Sequence, residues 1–292
     1  MTTIAFIGLG AMGSAMAANL RGAGFALRVW SRDRAKCTAF ARDGGVVCDS
    51  AAHAAAGADF IVSMVADDHA TRAVMLGDQG GLTTARRDAV IVDCSTNTPA
   101  MVREVAAAAA ARGVLHLDAP VSGSIPQARG CELVFMVGGD AAVFERARPL
   151  FDAMGRMARL MGGSGAGATI KLINNMLSGT MNAAIAEAIS VAQAAGIDQA
   201  GAMDILTEGA AGCRLMKTKI PKMYAREFSP QFQLGLMEKD LRYFLALAQE
   251  VDRPVPISSL VRSQMQAARR AELGGLDVSA IFLQASGEVA RR

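Results

Sequence analysis

Ile4-Ala5-Phe6-Ile7-Gly8-Leu9-Gly10-Ala11-Met12-Gly13 is the stretch whose reading decides the fold. Its four apolar residues make a short strand, and the next six fit G-x-G-x-x-G at the head of an Ala- and Met-rich helical run. That is the context in which this pattern binds a dinucleotide. Each glycine has its own steric reason: Gly8 permits the tight turn, Gly10 lets backbone approach a pyrophosphate, and Gly13 lets the helix pack on the strand. Leu9, Ala11 and Met12 complete the turn, and the N–H groups at the helix start attract the anion. A glycine triplet alone is weak evidence. Its place between strand and helix weighs against an ordinary Gly-rich turn.

Outward from this turn, to about residue 160, short runs rich in β-branched and aromatic residues alternate with Ala-rich stretches, the pattern of βαβ units around a parallel sheet. Strands are predicted at 4–7, 27–30, 60–65, 90–93 and 115–118, with helices at 12–23, 34–42, 70–76 and 99–111. The grammar changes after Gly162-Gly163-Ser164-Gly165-Ala166-Gly167, a small-residue stretch suited to a domain junction. Beyond it the chain reads as helical. The span 169–195 contains no Pro and would run about 40 Å as a helix, long enough to bridge two domains or two subunits. Further helices are predicted at 200–208, 234–250, 257–272 and 278–285, with Pro221, Pro230, Pro254 and Pro256 in the connections. The expectation is an α/β chain with a Rossmann domain over 1–163 and an all-helical domain over 164–292.

Composition removes several functional classes. Lys and Arg number 30 against 27 Asp and Glu, an excess of +3 that is too small and too dispersed for a nucleic-acid surface. No stretch offers the roughly 20 apolar residues of a membrane helix. The N-terminus lacks the basic head, apolar middle and cleavage site of a secretory signal, so a cytoplasmic address is expected. Five cysteines without a C-x-x-C pair suggest neither disulfide framework nor zinc site. The dispersed His53, His69 and His116 suggest no metal ligand set.

The end of the second strand bears on the cofactor. An NAD enzyme normally offers Asp or Glu to the ribose hydroxyls there, whereas this chain reads Trp30-Ser31-Arg32-Asp33-Arg34-Ala35-Lys36. Ser31 occupies the acidic place, and Arg32 with Lys36 suits the 2′-phosphate of NADP. NADP is therefore favoured, with NAD possible. Asp33 has two open readings, as partner of Arg32 or turned inward to the ribose.

These motifs together resemble the β-hydroxyacid dehydrogenase family, across essentially the whole chain. Residues Phe6 to Gly13 with Met16-Ala17-Ala18-Asn19-Leu20 are similar to its opening signature, and Asp118-Ala119-Pro120-Val121-Ser122-Gly123 to its substrate loop. Gly165-Ala166-Gly167-Ala168-Thr169-Ile170-Lys171-Leu172-Ile173-Asn174-Asn175 is similar to its catalytic segment, and Phe232 with Lys239-Asp240-Leu241 to its late motif. The resemblance implies a long helix joining the Rossmann domain to the helical one, an active site in the cleft, and a homodimer or homotetramer built through the helical part. It also implies cofactor contacts from Met64, Val65, Thr96 and Lys239, and roles for Phe232 in walling the cleft and Asp240 in placing lysine or substrate. Ser124 departs from the family, where many members have a second glycine; its hydroxyl would either bind a polar substituent or shrink the pocket.

The chemistry expected of these residues follows from charge. Hydride transfer to a carbonyl develops negative charge on oxygen, which a proton donor must meet. Lys171, crowded by Ile170, Leu172 and Ile173, suits that task, since an ammonium held in an apolar cleft loses solvation and gives up its proton more readily. Asn175, at i+4, shares its helix face. With Asn174 it offers amides to hold the lysine or a substrate hydroxyl. Ser122 and Gly123 can turn a hydroxyl and N–H groups toward a carboxylate. The expected substrate is a short carboxylated aldehyde or its 3- or 4-hydroxy acid. Two other readings are an imine reductase, whose relatives generally lack the lysine, and a catalytically silent dinucleotide-binding module.

Overall fold

The computed structural model describes residues 1–42 and 45–289; Asp43, Gly44 and the last three residues of the expected 164–292 domain lie outside the described residues. The chain divides into two compact units, Met1–Lys171 and Leu172–Arg292.

In the first unit β1 (Thr3–Ile7), α1 (Ala11–Gly22), β2 (Ala26–Trp30), α2 (Ala35–Arg42), β3 (Val46–Val47), α3 (Ala51–Ala55), β4 (Phe60–Ser63), α4 (Asp68–Leu76), β5 (Val90–Asp93), α5 (Pro99–Ala110) and β6 (Leu115–Asp118) follow one another. Then come β7 (Val121–Ser122), α6 (Ile125–Arg129), β8 (Leu133–Gly139), α7 (Ala141–Met154) and β9 (Gly155–Gly162). Among the described residues the strands form one sheet in the order β3-β2-β1-β4-β5-β6-β8-β7, with β9 on the free side of β8. The first six are parallel, β8 runs antiparallel to β6 and β7, and β9 runs parallel to β8. Strands β4 and β5 are buried along their whole length, which explains why they read as continuous apolar runs and not as alternation. Ile4, Phe6, Val29, Phe135 and Phe151 pack on one side of the sheet, and Ile7, Ile61, Met75, Ile91 and Val105 on the other. Helix α1 joins the first side through Gly13, Met16, Ala17 and Leu20, spaced at helical intervals. Because the chain runs from β1 to β2 and β3 on one side and returns from β3 to β4 on the other, the strand order reverses between β1 and β4, and their carboxyl ends are the standard position for a ligand in such sheets.

The 29-residue helix α8 (Ala166–Ala194) carries the chain out of the first unit. The second unit continues with α9 (Gln199–Glu208), α10 (Arg214–Ala225), α11 (Leu234–Glu250), α12 (Pro256–Arg270) and α13 (Ile281–Ala285), around Ile185, Ile189, Ile220, Met237, Leu241, Met265 and Phe282. A buried pair, Lys219 Nζ to Asp277 Oδ1 at 2.7 Å, lies beside this core. Asp277 also accepts from the backbone N–H groups of Gln231 (3.0 Å) and Phe232 (3.2 Å), which pins the approach to α11. Burial alone would raise the Asp277 pKa, but the bonds from Lys219 and Ser279 outweigh it and hold the carboxyl below its ordinary range.

Two proline expectations fail. Pro221 lies inside α10, where it removes one helical hydrogen bond, and Pro256 opens α12, where a missing N–H leaves nothing unsatisfied. Among the described residues, no helix is long and apolar enough to cross a membrane.

Candidate active site

The turn after β1 has the form its glycines foretell. Gly8 has φ +99°, its N–H donates to the Trp30 carbonyl at 2.8 Å, and a Cβ there would stand 2.4 Å from the Met64 carbonyl oxygen. A Cβ on Gly10 would meet nothing within 4 Å, so space is open where a phosphate must approach. Helices α4, α5, α7 and α9 each begin with a side-chain oxygen accepting a backbone N–H, from Asp67, Thr98, Asp140 and Asp198. Helix α1 has no such cap and no acid in its first turn. Its N–H groups thus remain for an anion, and the residues fit a dinucleotide pyrophosphate. A Cβ on Gly13 would lie 2.0 Å from the Gly8 carbonyl oxygen, against backbone that cannot yield without moving the turn. Gly13→Ala is therefore expected to weaken dinucleotide affinity about five- to a hundredfold, since overpacking typically costs ~1–3 kcal/mol. Titration with NADPH reads this directly, and unchanged affinity would count against the cradle.

At the end of β2, Ser31 is buried and Arg32 is exposed without a partner among the described residues. The neighbouring bases are engaged. Arg34 donates to the Cys48 carbonyl (2.6 Å) and to Asp49 (2.8 Å), and Lys36 pairs with Asp33 at 3.4 Å. Asp33 also accepts from the Ala35 N–H at 3.1 Å. Of the two open readings for Asp33, partnership with Arg32 is not the contact found.

Met64 and Val65 follow β4, and Thr96 follows β5, both at carboxyl ends of the sheet. A polar network missed by sequence reasoning ties these loops together. Buried Asp93 accepts from Ser63 Oγ (2.8 Å), the Ser95 N–H (3.0 Å) and Asn97 Nδ2 (2.7 Å), while Ser95 Oγ accepts from the Val65 N–H (3.0 Å). Thr71 Oγ1 donates onward to Asn97 Oδ1 at 3.1 Å. Burial raises the Asp93 pKa, with the bonds from Ser95 and Ser63 opposing it. The available signal was a run of polar residues at the ends of otherwise apolar strands.

Beyond β6, the Ser122 hydroxyl has no hydrogen-bond partner among the described residues, and Gly123 takes φ +128°. Ser124 opens α6 and is occupied: both its N–H (3.0 Å) and its hydroxyl (2.8 Å) donate to Gln127 Oε1. Asn19 of α1 donates to the Ala128 carbonyl at 2.6 Å, fastening α6 to the dinucleotide helix. Asp118, last residue of β6, accepts from the N–H groups of Gly165 (2.9 Å) and Ala168 (2.8 Å) at the start of α8. Lys171 follows within the next turn and is 8% exposed.

Asn175, on α8 and buried, stands one turn beyond Lys171. Its Nδ2 donates to Asp240 Oδ2 at 2.5 Å, and its Oδ1 accepts from Asn174 Nδ2 at 3.1 Å. Asp240 Oδ1 is 3.0 Å from Lys239 Nζ, which sits 4.8 Å from the Tyr243 ring centroid. In the second unit Asn174, Asn175, Lys239 and Asp240 thus form one network. Phe232 stands outside it, half-buried against the helical core.

With this geometry established, the chain was compared with known proteins. A family described as the NAD binding domain of 6-phosphogluconate dehydrogenase matches residues 3–163, and one described as NAD-binding of NADP-dependent 3-hydroxyisobutyrate dehydrogenase matches 165–284. The chain is 38% identical over 290 residues to a 3-hydroxyisobutyrate dehydrogenase of Pseudomonas aeruginosa, covering 96% of this chain and 97% of that one. It is 33% identical over 279 residues to glyoxylate/succinic semialdehyde reductase 1 of Arabidopsis thaliana, covering 96% of each. At the same 33% it resembles the cytokine-like nuclear factor N-PAC of Xenopus tropicalis, of which it spans 52%. Among solved structures, that of Mycobacterium tuberculosis 3-hydroxyisobutyrate dehydrogenase with L-serine superposes with a TM-score of 0.88 at 34% identity, covering 97% of this chain and 99% of that one.

Proposed function

Since the chain belongs to the β-hydroxyacid dehydrogenase family and is an NAD(P)-dependent hydroxyacid dehydrogenase of the 3-hydroxyisobutyrate type, we propose that it interconverts a short carboxylated aldehyde and its 3- or 4-hydroxy acid. It prefers NADP, and Lys171 is its general acid and base. The observation that carries this reading is the buried Lys171 amine one helical turn from Asn175, whose amide Asp240 fixes.

A dinucleotide held by the Gly8–Gly13 turn would supply the hydride in reduction and accept it in oxidation. Lys171 then does the proton work. Its ammonium donates a proton from Nζ as charge grows on the substrate oxygen, and in the reverse direction the neutral amine removes the hydroxyl proton. Asn175, its own Oδ1 and Nδ2 both engaged, holds rigid the helix face that it shares with Lys171. The unengaged Ser122 hydroxyl and the Gly123 N–H receive the substrate carboxylate. Arg32 would hold the 2′-phosphate of NADP.

The relatives' names support a carboxylated substrate. One is named for glyoxylate and succinic semialdehyde, both carboxylated aldehydes and the second the aldehyde of a 4-hydroxy acid, and another was solved with L-serine, itself a 3-hydroxy acid. A cytoplasmic setting is supported by five free cysteines, three of them buried. A homodimer or homotetramer is supported by exposed Leu177, Met181 and Val191 on α8.

An enzyme and a nuclear factor match at the same 33%, so support for catalysis comes from the residues. A silent module has no use for a buried lysine beside a fixed amide, and the lysine equally disfavours imine reduction. The test follows nicotinamide absorbance with NADPH and NADH against glyoxylate, succinic semialdehyde and uncharged aldehydes of equal length, and with NADP+ and NAD+ against 3-hydroxyisobutyrate and L-serine. Turnover is expected with at least one carboxylated compound and faster with NADP(H). No turnover with any of them, or a preference for uncharged aldehydes, would overturn the proposal.

A further inference from the structure

The first turn of a helix leaves backbone N–H groups without internal partners, and a nearby Ser, Thr or Asp normally accepts from them. Helix α8 has such a residue in Ser164, yet that side chain is exposed and makes no hydrogen bond among the described residues. The acceptor is instead Asp118, which comes from the end of β6 and is 1% exposed. Its place is rigid. Asp118 pairs in register with Asp93 on one side and Gly138 on the other, and the next residue, Ala119, donates to the Asp93 carbonyl at 2.7 Å.

Two glycines clear the space for this contact. A Cβ on Gly167, in the first turn of α8, would lie 2.3 Å from the Met136 carbonyl oxygen and 2.9 Å from Asp118 Oδ2. A Cβ on Gly138 would lie 2.5 Å from Asp118 Oδ1. The helix therefore starts with its backbone pressed onto the sheet, registered by one carboxylate. Burial raises the Asp118 pKa against the lowering effect of the Gly165 and Ala168 bonds, so a carboxylate costs more there than at a surface cap.

We propose that Asp118 is a positioning residue for Lys171: by fixing the first turn of α8 to the end of β6, it sets where the amine lies relative to the Ser122 loop. The proposal rests on the reading of Lys171 as proton donor. The strand that ends at Asp118 continues through Pro120 and Val121 to Ser122, so one residue ties the substrate loop to the helix of the lysine. Lys171 lies three residues past Ala168, about 4.5 Å along the axis, and a slip of one residue would turn its side chain by about 100°. Displacements near 1 Å from a productive geometry can cost about a hundredfold in rate.

The test is a double-mutant cycle of Asp118→Asn and Lys171→Ala, reading kcat, KM and NADPH affinity for each. Asp118→Asn keeps one acceptor oxygen and presents an amide to the other N–H. With Lys171 present it is expected to lower kcat at least about tenfold, with NADPH affinity within about twofold of wild type. In the Lys171→Ala background the same change should lower kcat less than about twofold, because groups that act through one another are not additive. Equal losses in both backgrounds would show a merely structural cap and overturn the proposal, as would an unchanged kcat with Lys171 present. If Lys171→Ala alone keeps wild-type turnover, the lysine reading fails and the proposal falls with it. Should Asp118→Asn not bind NADPH, Asp118→Glu, which keeps the charge and displaces the oxygens by one methylene, is read through the same cycle.

Discussion

Lys171→Ala is expected to lower kcat by about 10²- to 10⁴-fold, the usual contribution of a positioned general acid and base, while NADPH still binds with wild-type affinity. The reason for the split is placement. Lys171 is carried by α8, whereas the pyrophosphate cradle is built from Gly8, Gly10 and the uncapped start of α1. Removing the amine leaves that cradle intact and takes away the proton that must meet the developing alkoxide. Small primary amines added to the variant should restore part of the rate. Single-turnover kinetics with a carboxylated aldehyde, together with fluorescence titration of NADPH, separates the two effects; normal turnover in the variant would remove the mechanism.

Arg32→Ala should act on the opposite half of the problem. One charge-assisted hydrogen bond contributes about 1.5–3 kcal/mol, so loss of a single Arg32 contact to the 2′-phosphate weakens NADP roughly tenfold to a hundredfold. NAD, lacking that phosphate, should bind almost as before. The neighbouring bases cannot readily substitute. Arg34 is fixed to the Cys48 carbonyl and Asp49, and Lys36 faces Asp33. The selectivity ratio should also shrink with salt, since the contact is exposed. Equal losses for both dinucleotides would refute the assignment of Arg32.

The first half of the fold was legible because its strands are short apolar or β-branched runs, β4 and β5 being buried along their whole length. Val90–Asp93 and Leu115–Asp118 appear with the bounds read from their apolar runs, as does Leu234–Glu250 from its helical period. The segment between Val121 and Gly162 was not read. Its strand β9 alternates exposed Arg156, Met157, Arg159 and Met161 with small or half-buried residues, and α7 carries Pro149 in its interior, so propensity and pattern conflict there. Helix α10 was hidden in the same way by Pro221. At the candidate site, motif residues announced themselves through glycines and an amine among apolar neighbours. Asp93 and Asn97 did not, nor did the bonds of the motif residue Asp118 to α8, because such partners lie up to 50 residues away and no local pattern encodes them.

The bond between Ser124 and Gln127 changes how the loop after β6 should be viewed from outside. Two serines in three residues suggest a generously wet surface, yet one of them has turned its oxygen inward to start α6. An approaching molecule is left with a single alcohol, that of Ser122, beside a bare peptide at Gly123. Discrimination among acids at this loop then falls to length and bulk, and tallying hydroxyls in a motif overstates the chemistry on offer.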